Sequence, residues 1–404
     1  MKDNLSPKEL TIVQLVLDSG ERLPCLVETA TWLPVKLPTR WAVRHRRYQV
    51  QASTLRSDLY SLKKLYEWAG LVVELDLDQH LLNDKRLTAR QIESYATYIR
   101  EDIADKSSGI LNPNTYNKHL FVCEAFLKWA VYPENRGGQT EQTFTELAQE
   151  RAWLTYLFRS LRMRHQNGQR IQPLTGEEIT SIRAAIGPQR SGATEWQFCH
   201  SQFTTQTALR NWLMFETALE LGLRRGEILK LRLDSLPRGA ETGIKIQRYP
   251  DDPHDSRTVE PAVKTAERVV PASRNLLSAI RYYLATPPPQ GRPGGKTPYL
   301  FVTRNGRPLS TIMADDIIQT IGKYSGVIPL SWHRLRHTWA EEMAAQLAEQ
   351  PNGLDVLMYL GGWTAQTSVR RYIQNTIAQQ AQAAMRHYHE TLYQMETAEG
   401  GHRG

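Results

Sequence analysis

Apolar positions along this chain recur mostly with helical spacing and only briefly with the alternation of strands. After Ser53-Thr54, a pair suited to capping, Leu55, Leu59, Leu62, Tyr66 and Ala69 follow at helical intervals and predict a first long helix. Thr88 to Ile99 predicts a second, opening Thr88-x-x-Gln91 as a capping box. Asn114 to Ala130 predicts a third, with Tyr116, Leu120, Cys123, Leu127 and Ala130 on one stripe, and Glu141 to Leu161 a further one. Stripes of this kind bury against one another as a compact helical domain. The pattern resumes at Thr175-x-x-Glu178, another capping box, and in Leu209, Leu213, Thr217 and Leu221, spaced by four. Strand signals are short. Residues 10–17 and 23–27 flank the turn Asp18-Ser19-Gly20 and predict a hairpin; 244–246, 268–271 and 299–302 predict strands of a small sheet. Residues 247–262 and 287–298, rich in Pro, Asp or Gly, read as loops, and the remainder reads as helix through Tyr393.

The fold class expected is mainly α with a small β-sheet. Residues 1–45 form an N-terminal extension with a hairpin, 46–160 a helical domain, 161–172 a connector, 173–395 a mixed α+β domain, and 396–404 a disordered tail. A length of 404 residues suits two or more domains. The net charge of +8 and pI near 9.3 favour a polyanionic partner, nucleic acid first. Two basic stretches sharpen that expectation. Arg40, Arg44, Arg46 and Arg47 surround Trp41, a stretch that suits phosphate contacts and a solvated face equally, and Arg159, Arg162, Arg164 and Arg170 run through the connector, where contact with phosphate is favoured over a solvated face. Cys25, Cys123 and Cys199 are widely spaced and suggest a reducing compartment. No apolar run approaches the ~18 residues of a membrane span. The expected location is the cytoplasm, nucleoid-associated, with no membrane partner.

Candidate chemistry collects near the end of the chain. Trp332-His333-Arg334-Leu335-Arg336-His337-Thr338 is followed by Leu360-Gly361-Gly362-Trp363 and then Tyr372, with Gly222-Leu223-Arg224-Arg225-Gly226-Glu227 upstream. Arginine offers an always-charged fork of donors that matches phosphate oxygens two at a time. Tyrosine offers a phenolic oxygen that can attack phosphorus and hold a covalent link. No metal-ligand constellation and no Walker or dinucleotide motif is present, so no cofactor or metal is expected.

The order Arg, Lys, His-x-x-Arg, His or Trp, then Tyr resembles that of the tyrosine recombinases. The resemblance spans residues 173–375 at motif level and, more loosely, residues 50–135, which look like that family's helical, SAM-like core-binding domain. It implies a catalytic domain over 173–395 and catalytic roles for Arg224, Lys264, His333, Arg336, Trp363 and Tyr372, with Glu227 in support. Arg224 and Arg336 would clamp the scissile phosphate, His333 would donate to it or take the phenolic proton, and Tyr372 would attack. Trp363 stands nine residues before Tyr372, where most members carry His; an indole only donates, so it cannot serve as acid or base. An alternative alignment matches Gly362 to that His. Lys264 would protonate the leaving 5′-oxygen, with Lys245 its competitor. Tyr359 and Tyr388 compete with Tyr372, and His337 is expected to be structural.

The implied function is a site-specific DNA recombinase, an integrase or transposase of a mobile element, working through a 3′-phosphotyrosyl link and a Holliday junction. Its partners would be double-stranded recombination sites and further copies of itself, a tetramer on DNA and a monomer or dimer free, with room for accessory proteins. A topoisomerase of the same chemistry and an inactive DNA-binding accessory factor are the competing readings.

Overall fold

The computed structural model describes residues 9–103, 112–136, 143–165, 171–191, 195–197, 205–286, 297–370 and 372–400. The chain divides into two compact units, residues 1–169 with 258–260, and 170–257 with 261–404.

The first unit opens with β1 (Leu10–Val16) and β2 (Arg22–Glu28), an antiparallel hairpin registering Leu10 with Glu28 and Val16 with Arg22. Helices α1 (Lys36–Trp41), α2 (Ala52–Leu71), α3 (Leu77–Leu82), α4 (Ala89–Ile103), α5 (Pro113–Ala130), α6 (Pro133–Arg136) and α7 (Phe144–Ser160) follow, and a π-turn over Ala42–Arg46 continues α1. The expected separate N-terminal extension is not what folds: Leu10, Leu23, Leu26, Leu37 and Trp41 are buried in the same core as the long helices. The cause is the apolar face of β2, which needs a partner surface and finds it on α2. The cap of α2 also differs from expectation. The helix starts at Ala52 behind Gln51, whose side chain makes no capping bond, so Ser53 and Thr54 already lie inside the first turn. The Thr88–Gln91 box forms as expected, with both reciprocal bonds present. Cys123 sits in this core against the Tyr95 hydroxyl at 3.0 Å, and burial pushes its thiol up to about 12, which leaves it an inert apolar filler.

The second unit comprises α8 (Gly176–Ile186), the small hairpin β3 (Gln189–Ser191) and β4 (Glu195–Gln197), α9 (Thr205–Leu221), α10 (Arg225–Lys230), the antiparallel pair β5 (Gly243–Ile246) and β6 (Arg268–Pro271), and then α11 (Arg274–Ala285), α12 (Thr311–Ser325), α13 (Trp332–Leu347), α14 (Gly353–Gly361), α15 (Gln366–Arg370) and α16 (Gln374–Gly400). Thr175 caps α8 through the expected box. The main core gathers α8–α12 around Leu213, Phe215, Leu221, Ile280, Leu300, Phe301 and Leu335. A smaller cluster, Trp339, Ala344, Leu357, Trp363, Val369 and Tyr372, lies on α13 beneath α14 and α15.

Two expectations are corrected here. Residues 299–302 make only isolated bridges, Arg232 with Tyr299 and Val302 with Pro308, and no strand. The Leu300 N–H donates to the Leu231 carbonyl, whereas the Val302 N–H donates to the Tyr283 hydroxyl and the Val302 carbonyl accepts from Arg210, so no single strand runs alongside them. The expected tail from residue 396 instead prolongs α16 to Gly400, in keeping with its Ala, Gln, Glu and Met content; residues 401–404 and most of the 287–298 loop lie outside the described residues. The 247–262 segment is loop, as expected, yet it is anchored. Asp255 pairs with Arg257 at 2.7 Å and Lys230 at 3.3 Å, all three buried, while Arg257 also donates to the carbonyls of Leu229 and Leu309. Buried charges satisfied from several sides hold the loop that returns the chain into β6.

Candidate active site

Helix α9 ends at Leu221, and Gly222 turns the chain with φ +62°. A Cβ there would lie 2.1 Å from the Trp339 ring, so only glycine lets the turn pass this close to α13. The turn delivers Arg224 as the residue preceding α10, where its N–H donates to Glu227 at 2.6 Å. Its neighbour Arg225 is committed elsewhere, to Asp315. Arg224 Nη1 is buried and has no hydrogen-bond partner among the described residues.

Helix α13 supplies the His-x-x-Arg motif, and its periodicity sorts the side chains. Arg334 turns toward α8 and forms a fork with Glu178 at 2.8 Å. Arg336 turns inward, is 0% exposed, and donates to the carbonyls of Gly222 and Gly361 at 2.6 Å each. Its guanidinium lies 4.3 Å from the centre of the Trp363 ring and 6.0 Å from that of Tyr372. Burial and then the charge of Arg224 lower its pKa to about 10, which leaves it protonated at neutral pH. Glu227 offsets this charge: one carboxylate oxygen accepts from Arg268 at 2.6 Å and from the Thr265 hydroxyl, and the other lies 3.7 Å from Arg336. Burial works to raise the Glu227 pKa, but Arg268 and Arg336 outweigh it and hold the carboxyl below its ordinary 4.5.

Gly362 ends α14 in the left-handed region, φ +65°, and so explains the extra glycine: it is the helix stop that turns Trp363 back toward α13. Trp363 then packs against Trp339 (6.1 Å, ring centre to ring centre) and Tyr372 (5.1 Å), and its Nε1 is buried without a partner among the described residues. Tyr372 is 6% exposed and sits among the rings of Trp363, His337 (4.2 Å) and His333 (5.7 Å). His333 is exposed and His337, one turn along, is buried. Lys264 is exposed in the segment leading into β6; the next residues bind the site, Thr265 to Glu227 and the Ala266 N–H to the Gly362 carbonyl at 3.1 Å. Lys245 lies within β5, opposite Val269, also exposed. Tyr359 and Tyr388, the competing tyrosines, are both more than half exposed, at 56% each.

Arg224, Glu227, Arg336, His333, Trp363 and Tyr372 therefore converge, and the segment carrying Lys264 abuts them. Arg268 was not foreseen. It reads as an ordinary strand residue, and only its 1% exposed contact with Glu227 reveals it. The arginines of the two basic stretches are variously engaged. Arg46 pairs with Asp58 at 2.8 Å, Arg162 with Glu124 at 2.6 Å, Arg47 lies 3.6 Å from Glu21, and Arg40 donates to the Asn135 carbonyl. Arg44, Arg159 and Arg164 are exposed, and Arg170 lies outside the described residues.

Residues 195–379 match the family model described as the phage integrase family, a span holding every residue of this cluster. The second unit thus carries a domain of the tyrosine recombinase, or phage integrase, family. The curated tyrosine recombinase XerD of Listeria innocua is 25% identical over 272 residues, 66% of this chain and 83% of that one. Among solved structures, the XerH site-specific recombinase bound to a palindromic difH substrate aligns with a TM-score of 0.52 at 15% identity, covering 83% of this chain and 80% of that one. The Tn1549 transposon integrase in complex with circular intermediate DNA aligns with 0.50 at 15% identity, covering 83% and 94%. At that identity these two establish a shared fold, mainly helical with small antiparallel pairs. In this chain, no helix among the described residues is long and apolar enough to cross a membrane.

Proposed function

We propose that this recombinase integrates or transposes a mobile element by cutting and rejoining DNA at defined sites, and that Tyr372 is its nucleophile. The Tyr372 oxygen attacks the scissile phosphorus, its proton passes to His333, and the bond from phosphorus to the 5′-oxygen breaks as Lys264 protonates that oxygen. The products are a 3′-phosphotyrosyl link and a free 5′-hydroxyl, which attacks the equivalent link in a partner duplex. Arg224 and Arg336 bind the charge that builds on the non-bridging oxygens, and Trp363 donates to one of them. Glu227 fixes both arginines without touching the DNA.

The observation that carries this reading is the convergence of buried donors on one tyrosine. Arg224 Nη1, Arg336 Nε and Trp363 Nε1 lack acceptors among the described residues. A buried unpaired donor costs about 1–3 kcal/mol, and a phosphate brings several acceptor oxygens at once. Of the two histidines, His333 is exposed and His337 is buried, and the exposed one is assigned the proton.

The DNA duplex is proposed to be gripped also by Arg40, Arg44, Arg46, Arg47, Arg159, Arg162, Arg164 and Arg170, within a tetramer that passes through a Holliday junction. A nucleoid-associated, cytoplasmic place of action goes with that reading, as do accessory proteins. Helix α16, with Ile377, Met385 and Tyr388 about half exposed, is the proposed contact to a neighbouring protomer.

Covalent trapping tests the core of the proposal. The protein is incubated, in excess EDTA, with junction DNA nicked beside the cleavage site, and an SDS-resistant adduct is sought. Wild type should form it, because two guanidinium groups and Lys264 supply the charge, and Tyr372→Phe should not. An adduct with Tyr372→Phe would move the nucleophile to another tyrosine.

A further inference from the structure

Arg268 opens β6, yet its side chain serves three separate parts of the second unit. Nη1 donates to Glu227 at 2.6 Å and to the Ala266 carbonyl at 3.3 Å, while Nε donates to the Leu360 carbonyl, at the end of α14, at 2.6 Å. The approach is tight. A Cβ on Gly362 would lie 2.6 Å from Arg268 Nη1 and 2.9 Å from the Thr265 Cβ. The Lys264 segment is thus fastened at two points: through Thr265 to the carboxylate that braces Arg224 and Arg336, and through Ala266 to Gly362. From Gly362 the chain runs directly into Trp363 and on to Tyr372. No other side chain among these touches the Lys264 segment, the clamp carboxylate and the end of α14 together.

We propose that Arg268 is a positioning residue for bond cleavage: it holds the Lys264 segment against both Glu227 and the end of α14, so that the proton for the leaving 5′-oxygen is in place when the Tyr372 segment is docked. This rests on the role proposed above for Lys264. Arg268 itself touches no reacting atom. It acts by its fork, since one guanidinium edge reaches Glu227 while Nε reaches Leu360; a lysine ammonium keeps the charge but is a point donor and cannot span both.

The test separates proton delivery from phosphate binding. A substrate with sulfur in place of the bridging 5′-oxygen expels a thiolate, whose conjugate acid is far stronger than an alcohol, so it needs no proton from the protein. Single-turnover cleavage is measured on the oxygen and the sulfur substrate for wild type, Lys264→Ala, Arg268→Lys and Arg224→Ala. Lys264→Ala and Arg268→Lys should both be slow on oxygen, by roughly a hundredfold or more as for loss of a general acid. Both should return to near the wild-type rate on sulfur, whereas Arg224→Ala stays slow on both. The ratio of the two rates is taken within one preparation, so a partly unfolded variant does not distort it. Arg268→Lys slow on both substrates while Lys264→Ala is rescued would overturn the proposal and leave the Lys264 reading standing. Arg268→Lys at the wild-type rate on oxygen would overturn it as well. Lys264→Ala slow on both substrates would remove the Lys264 reading and the proposal with it.

Discussion

Glu227 shows how much a single buried carboxylate can organise. It is 2% exposed and faces Arg268, Arg336 and the N–H of Arg224. Removing one partner of such a group leaves charge buried without compensation, at a cost of about 3–5 kcal/mol. Glu227→Gln should therefore lose stability of that order in urea unfolding at neutral pH. The sign with pH follows from the depressed folded pKa. The carboxylate's contribution is fully present above the ordinary value of 4.5 and is lost as pH falls through the lower folded value, so wild type and Glu227→Gln should converge in acid. A gap that widens below pH 4.5 would contradict the arrangement described. The histidine pair gives a second prediction at this scale. His333→Ala should slow adduct formation about 10²–10⁴-fold as expected for a lost general base. His337→Ala should chiefly lower the unfolding midpoint, because its buried ring packs 4.2 Å from that of Tyr372. The opposite pattern would transfer the proton-accepting role to His337.

At the scale of elements, the site depends on how helices stop. Gly222 ends α9 and Gly362 ends α14, both at positive φ, and each stop turns a candidate site side chain, Arg224 or Trp363, inward within two residues. Gly362→Ala would pay roughly 1–2 kcal/mol for the left-handed backbone. It would also push a Cβ against Arg268 Nη1 and Thr265. The variant should thus unfold at lower urea and also cleave more slowly than its stability loss explains, measured below the onset of unfolding. A variant as active and stable as wild type would show that Trp363 does not depend on this stop. The β5–β6 pair is small, but the buried Asp255–Arg257–Lys230 group fixes the loop leading into it. That is how a segment with little regular structure can present Lys264 at a defined place.

At the scale of the whole molecule, α16 is a long helix that leaves much of its described surface in water. Its described side chains from Ile377 to Thr391 are exposed, Ile377, Met385 and Tyr388 included. A helix this long with apolar residues left in water fits a role in assembly. Deleting residues from Gln379 onward should leave single-strand cleavage near the wild-type rate and abolish or strongly impair complete recombination between two sites. Full recombination by the truncated protein would remove α16 from the proposed assembly.

What the sequence by itself determined was whatever is encoded locally. Helical periodicity placed α2, α4, α5, α7 and α9 to within a few residues, Thr88, Thr143 and Thr175 cap through short-range side-chain bonds, and the spacing of Arg224, His333, Arg336, Trp363 and Tyr372 marked the candidate site in one-dimensional form. The N-terminal hairpin was legible too, from its alternation and turn. Tertiary structure decided the rest, because the deciding partners are far apart in sequence. Arg268 finds Leu360 across 92 positions, Arg336 finds Gly222 across 114, and neither pairing leaves a local pattern. The doubled glycine before Trp363 was ambiguous as a string and resolved only when Gly362 proved to be a left-handed helix stop. Residues 299–302 have strand composition, but a strand is a relation between two segments, and here no partner runs beside them.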